Sequence, residues 1–342
     1  MNGIIAAWGK ILQGIKPNLS IEITRECPLR CPGCYAYGDD HLEGGVTLRS
    51  LADYKGDELV ARVKALVEEH DPLHLSIIGG EPLVRFRELE QILPWLAERG
   101  VYTNLVTSAV RPIPIEWAAL DRLLIAVSID GLQPEHDARR KPATYDRILK
   151  HIAGHHVTVH CTVTRQISQR PGYLEEFVRF WSEQPTTRRI WFSLYTPQIG
   201  EVSDERLDEA DRLRVAREID ALGPKFPKLE ASKRMLEGLV RPPLSPEECI
   251  FARTTHCLSA DLETVVSPCQ LGGNPDCASC GCLAAAALAA VGRYRLPGGV
   301  PVHRMFDWSA AVGRQVARVR AIGRPAARSG SRRTIPVRAV SD

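Results

Sequence analysis

Cys27, Cys31 and Cys34 stand in the stretch Glu22-Ile-Thr-Arg-Glu-Cys-Pro-Leu-Arg-Cys-Pro-Gly-Cys-Tyr35. Their spacing, CxxxCxxC, directly follows Leu19-Ser-Ile-Glu-Ile-Thr24, an alternating apolar run that predicts a strand. Three thiolates on one short loop can hold three irons of a cubane cluster and leave the fourth iron without a protein ligand. A closed structural site takes four ligands, whereas an open coordination position is built for chemistry. A zinc site completed by a distant cysteine or histidine is the alternative chemistry for this loop.

Six further cysteines, Cys249, Cys257, Cys269, Cys277, Cys280 and Cys282, form a second constellation. Between Cys257 and Cys269 the sequence predicts a short hairpin with its turn near Asp261–Glu263, and a Cys-x-x-Cys-x-Cys knot follows. A four-iron cluster usually takes four thiolates, so six fill one cluster and leave two. The surplus can be structural, can hold a second cluster with an open iron, or can serve as a hydrogen-atom donor. Zinc is again the alternative, because such knots are common in zinc ribbons. Cys161, inside the run Val157–Val163, is expected to be a packed apolar residue. His155, His156 and His160 lie near the entrance of that run and are given no role.

The elements that must position these residues follow an α/β rhythm. Strands are predicted at Leu19–Thr24, Leu73–Ile78, Tyr102–Thr107, Leu123–Ile129, Val157–Val163 and Arg189–Leu194. Helices are predicted at Leu48–Glu69, Phe86–Arg99, Ile115–Leu120, Thr144–Ile152 and Tyr173–Glu183. Six strands in this order imply a parallel sheet with outer helices, a partial (β/α)6 TIM-like barrel whose chemistry sits at the C-terminal strand ends. Trp191, Ser193, Tyr195 and Thr196, at the end of the sixth strand, are candidates for substrate contact by position.

The expected organisation is an amphipathic N-terminal helix over 1–17, the barrel over 18–200 and a charged helical connection over 201–245. A small cysteine-rich domain over 246–312 follows, with a disordered basic tail over 313–342. Ile4, Ile5, Trp8, Ile11, Leu12 and Ile15 recur at helical spacing. That helix either packs against the bottom of the barrel or lies in a membrane interface, which would suit a lipid substrate.

The 342 residues are 44% hydrophobic and 25% charged, enough for a substantial core. A net charge of +3 does not point to nucleic acid. No apolar run approaches the roughly 20 residues that span a bilayer. The N-terminus reads without a cleavable signal, so clustered thiols predict metal ligation in a reducing cytoplasm.

Two more motifs accompany the first cysteine loop. Gly79-Gly80-Glu81-Pro82 follows the second strand, and Val127-Ser-Ile-Asp-Gly131, with His136-Asp137 and Arg140, follows the fourth. In this order the three resemble the radical S-adenosylmethionine enzymes, in the branch with cysteine-rich SPASM or twitch extensions; the likeness covers roughly Asn18 to Cys282. It implies that Cys27, Cys31 and Cys34 hold a [4Fe-4S] cluster whose fourth iron binds the amino and carboxylate groups of S-adenosylmethionine. Reductive cleavage would then give a 5'-deoxyadenosyl radical that abstracts hydrogen.

By the same resemblance Gly79, Gly80 and Pro82 approach the methionine moiety, and Glu81 accepts from its ammonium group. Ser128 bonds the cofactor, and Arg140 pairs with the carboxylate, Arg139 being adjacent. Relatives suggest Cys249, Cys257 and Cys269 as auxiliary-cluster ligands, with the fourth from Cys277, Cys280 or Cys282. An electron donor such as flavodoxin or ferredoxin is implied. Two departures stand out: Gly33 replaces an aromatic residue before the third cysteine, and Thr107-Ser-Ala109 replaces a frequent Asn-Gly pair. The substrate is expected to be a small molecule or lipid, because no separate peptide-recognition module is visible. A peptide-modifying maturase is the alternative, and a zinc-binding, non-catalytic interaction protein is the alternative from another class.

Overall fold

The computed structural model describes residues 2–38, 41–42, 46–142, 145–296 and 298–322. After helix α1 (Asn2–Leu12), strands and helices alternate through β1 (Asn18–Glu22), α2 (Gly56–His70), β2 (His74–Ile78), α3 (Phe86–Glu98), β3 (Tyr102–Thr107) and β4 (Leu123–Ser128). Helices α4 (Glu135–Arg139) and α5 (Tyr145–His151) lead to β5 (Val157–Val163), and α6 (Arg165–Ser168) and α7 (Tyr173–Glu183) lead to β6 (Thr187–Leu194). The remainder comprises α8 (Glu209–Leu222), α9 (Lys233–Val240), α10 (Ile250–Thr254), β7 (Thr255–Leu258), α11 (Leu283–Arg293) and α12 (Val302–Ile322).

All seven strands lie in one parallel sheet, in the order β6-β5-β4-β3-β2-β1-β7. Alternation along the strands divides its two faces. Leu19, Ile21, Leu75, Ile77, Ile125 and Val127 join the helices in one hydrophobic core, as do Val159 and Cys161. The opposite face carries Ser20 and Glu22 on β1, Asn104 on β3, Ser128 on β4, His160 and Thr162 on β5 and Ser193 on β6. Ile78, Val106, Leu124, Ala126 and Trp191 share this face, so the lumen mixes polar and apolar side chains, while the main hydrophobic core lies outside it.

The six predicted strands are present, within two residues at each end. β7 was not anticipated. Its four residues, Thr-His-Cys-Leu, show no alternation of their own, and the pairing Ser20↔Cys257 fixes them beside β1. The predicted hairpin forms just after β7: Ser259 N–H donates to the Thr264 carbonyl (2.8 Å), and Asp261 accepts from Thr264 at the turn.

The predicted helix Leu48–Glu69 is broken. Leu48–Ser50 is a short 3-10 turn and α2 starts only at Gly56, because the segment between is pinned to the cysteine loop. Arg25 donates to the Leu51 carbonyl (2.8 Å), and Asp53 accepts from Thr24 Oγ1 (3.0 Å) and Arg85 (2.6 Å). At the other end, α12 runs through 302–322, so the boundary of the expected tail falls inside a helix. Buried Phe306, Ser309 and Gly313 give that helix a packed side, which the arginine-rich composition hides. Residues 323–342 of the expected tail lie outside the described residues. Among the described residues no helix is long and apolar enough to cross a membrane.

Candidate active site and second cysteine site

The cysteine loop leaves β1 at its C-terminal end and is tied down on all sides. Tyr37 Oη donates to the Arg25 carbonyl (2.7 Å), and Arg30 N–H donates to the Lys141 carbonyl (2.6 Å). Glu26 pairs with Lys55 and with buried Arg85, which hold its carboxyl down at about 2. Within this frame Cys27, Cys31 and Cys34 are all half-buried. Burial pushes the Cys27 thiol up to about 12, and Glu81, Cys31 and Cys34 add to the shift. Burial raises Cys34 as well, against the pull of nearby Arg140. The three thiols thus share one electrostatic neighbourhood.

Gly33 sits at φ +63°, a left-handed turn that explains why no aromatic residue precedes Cys34. Tyr37 and Cys34 both pack against the small cluster of Ala36, Leu48 and Ala260. Among the described residues no three His, Cys, Asp or Glu converge on a point where a single ion could be held. A cubane makes no such demand, since each thiolate binds its own iron. Three cysteines on one loop are a donor set that fits a cubane with one open iron.

The Gly79-Gly80 pair also has a role within the protein itself. Gly79 lies at φ +89°, and a Cβ there would collide with the Glu22 backbone. A Cβ on Gly80 would strike the Glu26 carbonyl, and Glu81 N–H donates to that same carbonyl (2.8 Å). These glycines let the loop after β2 close on the cysteine loop.

The buried Glu81 carboxylate is engaged by its own protein. It caps the turn Pro82–Arg85 through Leu83 N–H (3.0 Å) and accepts from Thr107 Oγ1 and Ser108 N–H (2.7 Å). The segment Thr107–Ala109, anomalous in sequence, is thus what holds Glu81. Ala109 takes the positive φ that a glycine would otherwise supply.

Arg140 is held by Asp130 (2.8 Å) and donates to Ser108 Oγ (2.9 Å). Arg139 bridges Asp130 to Glu205. Burial alone would raise the Asp130 carboxyl, but Arg140 and Arg139 overcome it and hold it well below the usual carboxylate range. Ser128, buried at the end of β4, is two residues away. Sequence reasoning named Ser128 and Arg140 but missed Asp130, the acid on which both arginines turn. Its place within the quoted Val127–Gly131 motif was the available signal.

The second site is docked on the end of β6. Gly281 N–H donates to Thr196 Oγ1 (2.8 Å), and Leu194 N–H donates to the Gly281 carbonyl (2.9 Å). Ser193 Oγ accepts from Leu283 N–H (3.3 Å) and meets His160 Nε2 (2.8 Å). Ser193 and Thr196, expected to touch substrate, therefore support the cysteine knot. Trp191 donates to Glu230 (2.5 Å) and Tyr195 to Glu201. His160 faces the lumen rather than standing idle, and burial lowers it to about 4. His155 is buried against the Ile113 carbonyl (3.0 Å), and His156 is exposed.

Cys249, Cys269, Cys277, Cys280 and Cys282 line one small cavity of about 30 Å³, among apolar side chains and without a charged one. Arg212 fixes the knot from outside through the Ser279 (2.9 Å) and Cys280 (2.6 Å) carbonyls. Cys257 does not line this cavity. It packs on β7 with Leu42 and Val266, where burial pushes its thiol up to about 12 and Lys16 and Glu22 are its charged neighbours.

A buried hub joins the two sites. His41 Nε2 meets Glu22 Oε1 (2.7 Å), Ser259 Oγ donates to Glu22 Oε2 (2.5 Å), and His41 Nδ1 donates to the Leu271 carbonyl (3.1 Å). Tyr35, beside Cys34, has Cys282 and Cys257 within electrostatic reach.

The family described as the Radical SAM superfamily matches residues 21–164. The PqqA peptide cyclase of Rhizobium meliloti (strain 1021) is 32% identical over 137 residues, 38% of this chain and 34% of the relative. That of Methylocella silvestris is 33% identical over 155 residues, 43% of this chain and 34% of the relative. The chain thus spans about a third of the length of the curated relatives it matches.

The fold is similar to Streptococcus suis SuiB bound to precursor peptide SuiA, with a TM-score of 0.56 and 16% identity, covering 79% of this chain and 63% of SuiB. It is also similar to anSMEcpe with bound AdoMet, with a TM-score of 0.54 and 14% identity over 90% of this chain and 98% of that one. The cysteine loop, the Gly79–Pro82 loop and the Asp130–Arg140 loop gather at one end of a parallel barrel, and they lie within the stretch 21–164 that matches the Radical SAM superfamily.

Proposed function

We propose that this protein is a radical S-adenosylmethionine enzyme acting on a peptide, in place of the small molecule or lipid that the sequence first suggested. Cys27, Cys31 and Cys34 hold a [4Fe-4S] cluster, and Arg140, Ser128 and the Gly79–Pro82 loop border the S-adenosylmethionine beside it. When bound, this pair supplies one-electron cleavage of the sulfonium to a hydrogen-abstracting 5'-deoxyadenosyl radical. The chain's own residues orient and shield. Asp130 fixes the Arg140 guanidinium, Glu81 locks the β2 and β3 loops together, and Asn104, His160 and Thr162 offer polar groups in the lumen. A low-potential donor such as flavodoxin or ferredoxin is the reducing partner.

The observation that carries the peptide reading is the run of PqqA peptide cyclases among the relatives, similar in segments of this chain at 32–35% identity. SuiB, similar in fold, is described with a precursor peptide. The test is deuterium transfer. Extract from cells grown in heavy water is separated into peptide, lipid and small-molecule fractions, and each is given to reduced enzyme with S-adenosylmethionine. Deuterium should enter deoxyadenosine from the peptide fraction; label from the lipid or small-molecule fraction alone would reject the reading.

We further assign an auxiliary iron–sulfur cluster to the cavity lined by five thiols, with four of them as ligands and Cys257 outside the set. Cys282→Ala should lower iron content by about one cluster and suppress product while sparing deoxyadenosine formation. Cys257→Ala should keep most of the iron. Equal iron loss in the two variants would defeat the five-thiol assignment.

A further inference from the structure

The molecule carries a face that the chemistry does not use. On α12, Met305, Trp308, Val312, Val316 and Val319 recur at i, i+3, i+7, i+11 and i+14, which places them on one stripe. The packed side of the helix, through Phe306, Ser309 and Gly313, points elsewhere: Trp8 Nε1 donates to Ser309 Oγ (2.8 Å), and Gly14 sits against Gly313 and Ala317. The stripe is left open, with Trp308 66%, Val319 69% and Met305 37% exposed. Because Trp8 meets Ser309 and Gly14 meets Gly313 and Ala317, α1 and α12 run in the same direction. Ile5, 68% exposed, therefore falls at the Met305 end.

Charge identifies what covers this face. Residues 302–342 hold nine arginines and two aspartates, a net of +7, whereas the whole chain carries +3 and its other 301 residues therefore −4. On the helix itself Arg304, Arg314, Arg318 and Arg320 are exposed, and its one acid, Asp307, is paired with Arg253 (2.6 Å). Two copies meeting through this face would bring like charges together. An exposed tryptophan and valines between arginines are the pattern of a helix lying at a lipid–water boundary. We propose that the α1–α12 face docks on an anionic bilayer surface.

The location gives the docking its meaning. α1 enters β1 at the end opposite the cysteine loop, so a bilayer held there leaves the mouth of the barrel facing water. The face anchors the enzyme and does not feed it lipid. This inference is independent of the substrate reading.

The test is co-sedimentation of the full chain with phosphatidylcholine vesicles, with and without phosphatidylglycerol. Binding should need phosphatidylglycerol and weaken as salt is raised. Arg314→Ala with Arg318→Ala should lower the partition coefficient roughly tenfold or more, and Trp308→Ser should lower it further, with circular dichroism unchanged. Equal binding to both vesicle types, no binding to either, or binding indifferent to the arginine pair would overturn the proposal. So would a concentration-dependent dimer dissolved by Trp308→Ser, which would assign the face to a second copy.

Discussion

Cys31→Ala is expected to reduce deoxyadenosine formation by dithionite-reduced protein to background and to remove the iron of the first site. The middle cysteine of the loop has Cys27, Cys34 and Arg140 as electrostatic neighbours. Two thiolates cannot hold three corners of a cubane. The loop should survive the change structurally, because its anchors are the bonds of Thr24, Arg25, Arg30 and Tyr37 and not its sulfurs. Circular dichroism and melting temperature should therefore stay near those of the apo wild type. Deoxyadenosine formed at the wild-type rate would refute the ligand assignment.

Asp130→Asn should have the largest effect on folding stability outside the apolar core. The substitution keeps the shape but removes the one charge shared by Arg139 and Arg140. Arg139 retains Glu205, whereas Arg140 is left with the neutral Ser108 hydroxyl. Breaking a buried ion pair by deleting one partner costs about 3–5 kcal/mol, measurable as a shift in the denaturant midpoint at constant slope. The sign with pH follows from the depressed carboxyl. The contribution of Asp130 is complete above the ordinary aspartate value near 4, and it is lost as pH falls from there toward the lower value of the folded state. The variant should accordingly lose most of its deficit relative to wild type in strong acid. A deficit of less than about 1 kcal/mol at neutral pH would mean that Arg140 is held by something other than Asp130.

The parts of this molecule legible from sequence are those governed by short-range rules. Val157–Val163 and Tyr173–Glu183 were bounded correctly because their apolar periodicity is strong and their ends are marked by turn residues. The first cysteine loop was legible because its three cysteines sit within eight residues of chain. What escaped depends on partners far apart. Thr255–Leu258 becomes a strand only by pairing with β1, more than two hundred residues earlier. The helix predicted from Leu48 fails because Asp53 is claimed by Thr24 and Arg85. Cys257 looked like its neighbours in the list of thiols, and only the fold separates it from the cavity. Gly79 and Gly80 were noticed for their freedom from a side chain, and only the fold shows that this freedom also makes room for the protein's own backbone.

The placement of β7 bears on how such a chain could be dismantled. Cutting after Val240 would remove a strand from the sheet and leave the β7-facing N–H and C=O groups of Asn18–Ile21 unpaired, although β1 would keep its bonds to β2. Such a fragment would recruit a stranger's strand and precipitate. Glu22 would lose Ser259 and His41 would lose Leu271 in the same cut. Barrel and extension therefore melt as one cooperative unit, and swapping extensions between related proteins requires the first strand of the recipient to be rewritten to match.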